Sequence, residues 1–314
     1  MTIAWIFLGF ILLAIGGRFI LRSAIAISLR FNISKVVIGM TVVAFATSLP
    51  ELLVSLKAAI IGSSSIAMNN VIGSNIANIG LVLGLTALIG NIGVPKSFYK
   101  TIWPLMFFLS LLLYWFIFND NFLSRYEGLT LFICLVIFLI FSVKNTPNNI
   151  ITKNEAFENL QYTSSIKIVI WILISSLSLY YGAEWLVFGA IALASLTGIS
   201  EAVISVTVIA VGTSIPEIAT SIIAIGKNQK GISIGNLIGS NIFNIGSVLG
   251  LTSIIKPILI DDLNILNRDI LFLIVFTFLV LIISVLPKKS IITKLKGFIL
   301  VTFYSVYLIY LFFY

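Results

Sequence analysis

The chain is 314 residues long, 60% hydrophobic and only 10% charged, with a mean hydropathy of +1.17. That balance excludes a water-soluble globular domain and calls for a polytopic membrane protein. The formal charge of +8 comes from 19 basic against 11 acidic residues. The basic residues are spread over several loops and not gathered on one face, which argues against a nucleic-acid footprint.

In chain order the apolar runs predict ten membrane spans, at roughly 3–21, 36–61, 70–90, 102–118, 127–143, 166–190, 202–226, 236–256, 269–286 and 297–313. Five fall in residues 1–143 and five in 166–314. The stretch between them, 144–165, is polar, contains Pro147, Asn148 and Asn149, and reads as a cytoplasmic linker. The first run has no basic residue ahead of it and Arg22 behind it, so it reads as a retained helix and not a cleaved signal. Cys134, the single cysteine, sits in an apolar run without a partner and is expected to face lipid or core.

With the N-terminus outside, 14 lysines and arginines between Arg22 and Lys296 fall in cytoplasmic loops, and the outer loops keep only Arg125, Lys256 and Arg268. The positive-inside bias therefore predicts both termini outside the cytoplasm, in the plasma (inner) membrane. The two halves also repeat. Ala44-Phe-Ala-Thr47-Ser48-Leu-Pro50-Glu51 returns as Ala210-Val-Gly-Thr213-Ser214-Ile-Pro216-Glu217, and Asn70–Thr86 returns as Asn236–Thr252, identical at 14 of 17 positions and 166 residues on. An odd number of spans per copy sends the second copy in from the opposite side. The expected fold class is thus an all-α polytopic membrane protein of ten transmembrane helices, built as two inverted five-helix repeats.

Glu51 and Glu217 fall near the middle of the second and seventh spans. A charged group at mid-bilayer costs about 2.5–3.5 kcal/mol even on lenient insertion scales, so an intramembrane carboxylate is a site hypothesis by default. A structural salt bridge would need a cation at the same depth, and the candidates, Lys57 and Arg18, lie toward span ends. Pro50 and Pro216 cannot donate the helical hydrogen bond to the residue four back, which frees the carbonyls of Ala46 and Gly212 and breaks each helix. Thr47, Ser48, Thr213 and Ser214 add oxygens on the same short segments.

In the second passage Ser74 and Asn78 lie four apart on one helical face, and Ser240 and Asn244 do the same. Glycines at 73, 80, 84, 239, 246 and 250 mark a seam of close helix contact. Every candidate ligand is an oxygen. Such a set suits a hard cation, and Ca²⁺, which takes six to eight flexible oxygens, fits better than Mg²⁺. Zinc and copper recruit histidine or cysteine. Two carboxylates about 5 Å apart at an effective dielectric near 20 repel by about 3 kcal/mol, and a divalent ion, several monovalent ions or protons relieve that repulsion.

At these residues the chain resembles the calcium/cation antiporter superfamily, in its sodium/calcium exchanger group, and is most similar to small bacterial inner-membrane members without a large regulatory loop. The resemblance covers essentially the whole chain and rests on the duplicated Thr-Ser-Leu/Ile-Pro-Glu with Gly-Ser-Asn-Ile-x-Asn. It implies that the second, third, seventh and eighth helices surround the ion sites, and that long first and sixth helices slide across them. It further implies metal ligands at Glu51, Glu217, Thr47, Ser48, Thr213, Ser214, Ser74, Asn78, Ser240 and Asn244, with carbonyls of Ala44 and Ala210. Relatives often carry an acid at one or both positions matching Asn78 and Asn244; with amides at both, this cage holds two negative charges at most.

The expected activity is secondary-active exchange of Ca²⁺ for Na⁺ by alternating access. A proton-coupled exchanger is the nearest alternative, K⁺ involvement stays open, and a passive cation channel is the rival from another class. No nucleophile with a base, HExxH pair or Gly-rich nucleotide loop is found, so no enzyme and no cofactor are expected. The expected partners are the lipid bilayer and inorganic cations, with no nucleic acid and no obligatory protein.

Overall fold

The computed structural model describes residues 2–145, 155–196, 212–260 and 262–313. Helix α1 (Thr2–Phe31) is followed by the pair α2 (Lys35–Thr47) and α3 (Leu49–Ile60), then α4 (Ser64–Ile89), α5 (Phe98–Phe118) and α6 (Arg125–Asn145). The second half contributes α7 (Ser165–Leu196), α8 (Ile215–Gly226), α9 (Lys230–Ile255), α10 (Ile265–Val285) and α11 (Lys294–Phe313). Eight of these are long and apolar enough to cross a membrane, and α2 with α3, bent by 44°, makes a ninth. Of the expected span 202–226, α8 is described and residues 202–211 lie outside the described residues. Within the expected linker, Glu155–Tyr162 forms a short 3₁₀ helix.

Several helices run past the spans expected from hydropathy. The first continues to Phe31 across Arg22 and Arg30, because long basic side chains can reach water from a helix that keeps its backbone bonds. It stops at Asn32, whose φ of 54° is the left-handed conformation that commonly ends helices. Likewise α4 and α9 begin at Ser64 and Lys230, a turn or more before their apolar runs.

Burial sorts the helices into a centre and a shell. In the most apolar window of α4, 72% of residues are buried, and in that of α9, 83%, against 33% for α1, α5 and α7 and 28% for α6 and α11. The repeated passage therefore occupies the middle of the molecule, and the flanking helices turn apolar faces outward, with Phe7, Trp115 and Phe298 each more than half exposed. In water such faces would be a liability; in a bilayer they are lipid contacts.

The halves pack by exchange. Gly84 of α4 lies against Gly297 of α11, where an added Cβ would stand 3.0 Å from the Gly297 carbonyl, and Gly250 of α9 lies against Gly128 of α6, with the Gly128 carbonyl 3.1 Å away. Each central helix so rests on the last helix of the other half. Two short antiparallel ladders follow the same rule: β1 (Ile92–Gly93) pairs with β4 (Ile291–Ile292), and β2 (Phe122–Leu123) pairs with β3 (Ile258–Leu259). Helices α1 and α7 run antiparallel along much of their length, with Trp5 against Trp185 and Phe188, Gly9 against Gly182, and the Arg30 guanidinium donating to Ser165 Oγ at 2.7 Å.

Most of the expected glycine seam carries close contacts. Gly80, Gly84, Gly239, Gly246 and Gly250 all meet a neighbouring helix; Gly73 has no such neighbour among the described residues, and Val206, which corresponds to the Met40 that Gly239 touches, lies outside them. A Cβ at Gly239 would stand 2.5 Å from Met40 Cα, a backbone atom that cannot step aside. Gly239→Ala is expected to lower stability in detergent by about 1–3 kcal/mol, the usual scale of overpacking, read as a reduced thermal unfolding midpoint.

Candidate cation site

Proline sets the local geometry. Pro50 and Pro216 each occupy the first turn of their helix, where the missing N–H leaves no helical bond broken inside that helix. The residues ahead, Ser48 and Ser214, share one conformation, with φ −85° and ψ 1° in the first and φ −86° and ψ 1° in the second. Each glutamate thus lands in the first turn of a helix, Glu51 in α3 and Glu217 in α8, where unpaired backbone N–H groups favour negative charge.

Both carboxylates are completely buried, at 0% exposure, and they lie within electrostatic reach of each other. None of their four oxygens has a hydrogen-bond partner among the described residues. Thr47 and Ser240 stand beside the Glu217 carboxylate without closing a hydrogen bond to it. Basic residues stay away: Lys57 and Arg18 are exposed, and among the described residues the sole ion pair is Arg268 with its neighbour Asp269 at 2.7 Å.

Around the carboxylates, hydroxyls and amides join the two halves. Thr47 Oγ1 donates to Asn236 Oδ1 at 3.1 Å and lies 3.3 Å from Ser240 Oγ; Ser74 Oγ lies 2.9 Å from Thr213 Oγ1. On α4 and α9, wide π-type turns begin at Asn78 and Asn244, over Asn78–Val82 and Asn244–Leu249, and such turns recur at functional sites because they redirect one side chain. Both asparagines are 0% exposed. Asn244 donates to Asn75 Oδ1 at 3.0 Å, while its own Oδ1, both polar atoms of Asn78, and the hydroxyls of Ser48 and Ser214 have no partner among the described residues. Buried polar atoms are almost always satisfied, so a concentration of unsatisfied oxygens in one place marks a surface suited to an ion.

Of the ligands implied by the resemblance, the structure brings Thr47, Ser240 and Glu217 together, sets Ser74 beside Thr213, and buries Ser48, Ser214, Glu51, Asn78 and Asn244. The Ala44 carbonyl already accepts from Ser48 N–H at 2.9 Å and from Thr47 Oγ1 at 3.3 Å. Ala210 lies outside the described residues. No group of three or more histidines, cysteines or acids occurs among the described residues. That leaves a donor set of oxygens with two formal charges, which fits a hard cation and not zinc or copper.

A supporting layer was not anticipated. Asn70 Nδ2 donates to the Glu51 carbonyl at 3.2 Å and to Ser55 Oγ at 2.9 Å, so it ties α4 to the glutamate's own helix. Its counterpart Asn236 donates to Thr220 Oγ1 at 3.0 Å and to Ser221 Oγ at 3.3 Å. Asn75 reaches the Asn241 carbonyl at 3.2 Å across the centre. Their presence in both copies of the repeated passage was the available signal.

Taken together, a helical bundle with a lipid-facing shell and a central oxygen site of two opposed carboxylates defines a membrane cation transporter. A family model described as sodium/calcium exchanger protein matches residues 1–144 and 167–313, so the chain belongs to that family. It is similar to the putative antiporter CaxA of Alkalimonas amylolytica, 38% identical over 96% of both chains, and to the inner membrane protein YrbG of Escherichia coli, 35% identical over 83% of this chain and 82% of that one. Among solved structures it is similar to the sodium-calcium exchanger NCX_Mj soaked with 10 mM Na⁺ and zero Ca²⁺, with a TM-score of 0.79, 33% identity and 97% of each chain covered.

If the carboxylates form the ion site, a bound cation stabilises the folded protein by mass action, by about 2.7 kcal/mol at a hundred times its dissociation constant. Thermal unfolding in detergent with and without added Ca²⁺ is expected to show an upward shift in the wild type and none in Glu51→Gln or Glu217→Gln.

Proposed function

We propose that the chain is a secondary-active antiporter that exchanges Ca²⁺ for Na⁺ across the plasma (inner) membrane by alternating access. One observation carries the reading: two fully buried carboxylates at equivalent helix starts lie within electrostatic reach of each other, and neither has a basic partner among the described residues. The resident charge must then come from ions. Glu51 and Glu217 act as the central ligands, with oxygens of Thr47, Ser48, Thr213, Ser214, Ser74, Asn78, Ser240 and Asn244 around them, and the Ala44 and Ala210 carbonyls available to other ions or other states.

Ten transmembrane helices in two inverted five-helix repeats, 1–143 and 166–314 about the linker 144–165, complete the proposal. The ladders support it. Strand β1 and its counterpart β3, 166 residues on, do not lie together; each pairs instead with the other half's second strand. The antiparallel course of α1 and α7 points the same way. Both termini outside the cytoplasm follows from the basic residues, and Arg18, Arg22 and Lys227, all assigned inward, line one cavity.

Competition supplies the coupling. Ca²⁺ and Na⁺ bind the same oxygens, and the centre with both carboxylates charged and bare is too costly to pass through the occluded state, so only loaded protein reorients. Protons are the second reading, since two carboxylates can hold two protons and the amides at 78 and 244 add no acid.

Purified protein in liposomes decides between these. An imposed Na⁺ gradient at fixed pH is expected to drive Ca²⁺ uptake; uptake driven by a proton gradient alone would assign proton coupling, and downhill leak with no response to either gradient would mean a channel. Glu51→Gln and Glu217→Gln are each expected to cut gradient-driven flux by at least about a hundredfold, the effect of losing roughly 3 kcal/mol of charge pairing. Retained uptake in either variant overturns the ligand assignment.

A further inference from the structure

A second charged feature lies well away from the two glutamates. Between α1 and α8 is a cavity of about 280 Å³ lined by Arg18, Leu21, Arg22, Ile223 and Lys227. Its volume falls just below the range of small-molecule pockets, about 300–1,000 Å³. The composition is one-sided: three cations around two aliphatic side chains, and no acid among the described residues of the lining. Arg18 and Arg22 are one helical turn apart on the same face, so both guanidinium groups point into the same space. Lys227 caps the end of α8 and lines the same cavity.

All three basic side chains are exposed, so the cluster is open to an anion from outside. The apolar stretch of α1 opens at Ala4, and Arg18 lies 14 residues further on, about 21 Å at 1.5 Å per residue. That is short of the roughly 30 Å hydrocarbon core. Arg18 therefore starts below headgroup level and has to reach outward, to the zone where lipid phosphates lie. Neither arginine nor Lys227 has a side-chain hydrogen bond or ion pair among the described residues, where the sole ion pair is Arg268 with Asp269. The nearest α7 acid by helix equivalence, Glu184, lies at the opposite end of the α1–α7 pair, beside Trp185 and hence Trp5.

We propose that this cavity is an anion site for a phosphate-bearing group at the cytoplasmic face, with Arg18, Arg22 and Lys227 as its ligands and Leu21 and Ile223 as its apolar floor. The chemistry fits the phosphate of an anionic glycerophospholipid, whose glycerol and upper acyl carbons would lie on the floor, and it also fits a free phosphate ion. Guanidinium forks pair with phosphate oxygens in bidentate fashion, and an ammonium adds a point charge. None of its lining residues is among the ligands proposed for the centre.

Binding can be read without transport. Delipidated protein in neutral detergent is titrated with phosphatidylglycerol, with phosphatidylcholine, and with inorganic phosphate, and thermal unfolding is followed. Phosphatidylglycerol is expected to raise the unfolding midpoint where phosphatidylcholine does not; an equal rise with inorganic phosphate would support the same site and name the free ion as its occupant. Arg18→Gln, Arg22→Gln and Lys227→Gln are each expected to weaken the response about fivefold in apparent affinity, and the triple variant to abolish it. Lys227→Glu keeps a folded protein by pairing with the arginines and is expected to lose the response as well. Lys288→Gln with Lys289→Gln, away from the cavity, is expected to leave it unchanged. No preference for phosphatidylglycerol or phosphate over phosphatidylcholine in the wild type, or an unaltered response in the triple variant, overturns the proposal.

Discussion

Two fully buried carboxylates within electrostatic reach of each other, with no basic partner among the described residues, are the constraint from which the rest of the architecture follows. Like charges about 5 Å apart would repel by about 3 kcal/mol at an effective dielectric near 20, and desolvation adds to that. The local structure eases this without neutralising it. Each glutamate sits at a helix start, beside free backbone N–H groups, and each start exists because a proline prevents the preceding turn from running on. One hydroxyl from each half, Thr47 and Ser240, stands beside the Glu217 carboxylate. Among the described residues no basic side chain pairs with either carboxylate, which leaves an ion as the natural counterpart.

The centre can be this polar only because the surrounding helices shut out lipid and water. The windows of α4 and α9 are buried at 72% and 83%, and each leans on the last helix of the other half through a glycine pair that allows backbones to meet. The two copies nevertheless hold different partners. Asn75 reaches across to the Asn241 carbonyl, whereas Asn241 turns back to Leu237 of its own helix; Asn244 donates to Asn75, whereas Asn78 has no partner among the described residues. The repeated passages differ only at 71 against 237, 77 against 243 and 81 against 247, so the same asparagines hold different partners in the two copies. Identical groups with exchangeable partners are the raw material of a two-state element.

Much of this was legible in the amino-acid sequence because membranes make a strict reader. Apolar runs, basic loops and a 166-residue repeat with a glutamate after each proline are strong signals where an unpaired charge is penalised. Helix ends were less visible: α1 runs on past Arg22 and Arg30, since hydropathy drops at a charge although the backbone has no reason to stop before Asn32. The bracing role of Asn70 and Asn236 was also hidden, because an amide that ties its neighbour's helix looks no different in a sequence from one that faces an ion. Ser55 and Ser221, their partners, lie a full turn beyond the glutamates and carry no motif of their own.

Helix α8 connects the centre to the edge. It spans only Ile215–Gly226, with Glu217 in its first turn and Lys227 as its cap, so about 15 Å of continuous helix separates the buried carboxylate from the cationic cavity. Three turns of helix do not bend on that scale without a proline, glycine pair or inserted turn, and none of these interrupts it between Glu217 and Ile225. Whatever moves Lys227 relative to Arg18 and Arg22 must therefore move the helix that carries Glu217, or rotate it about Ile223, which presses on Gly17 of α1 beside the cavity. Contact between α1 and α8 thus places the cationic cavity and Glu217 at the two ends of one element.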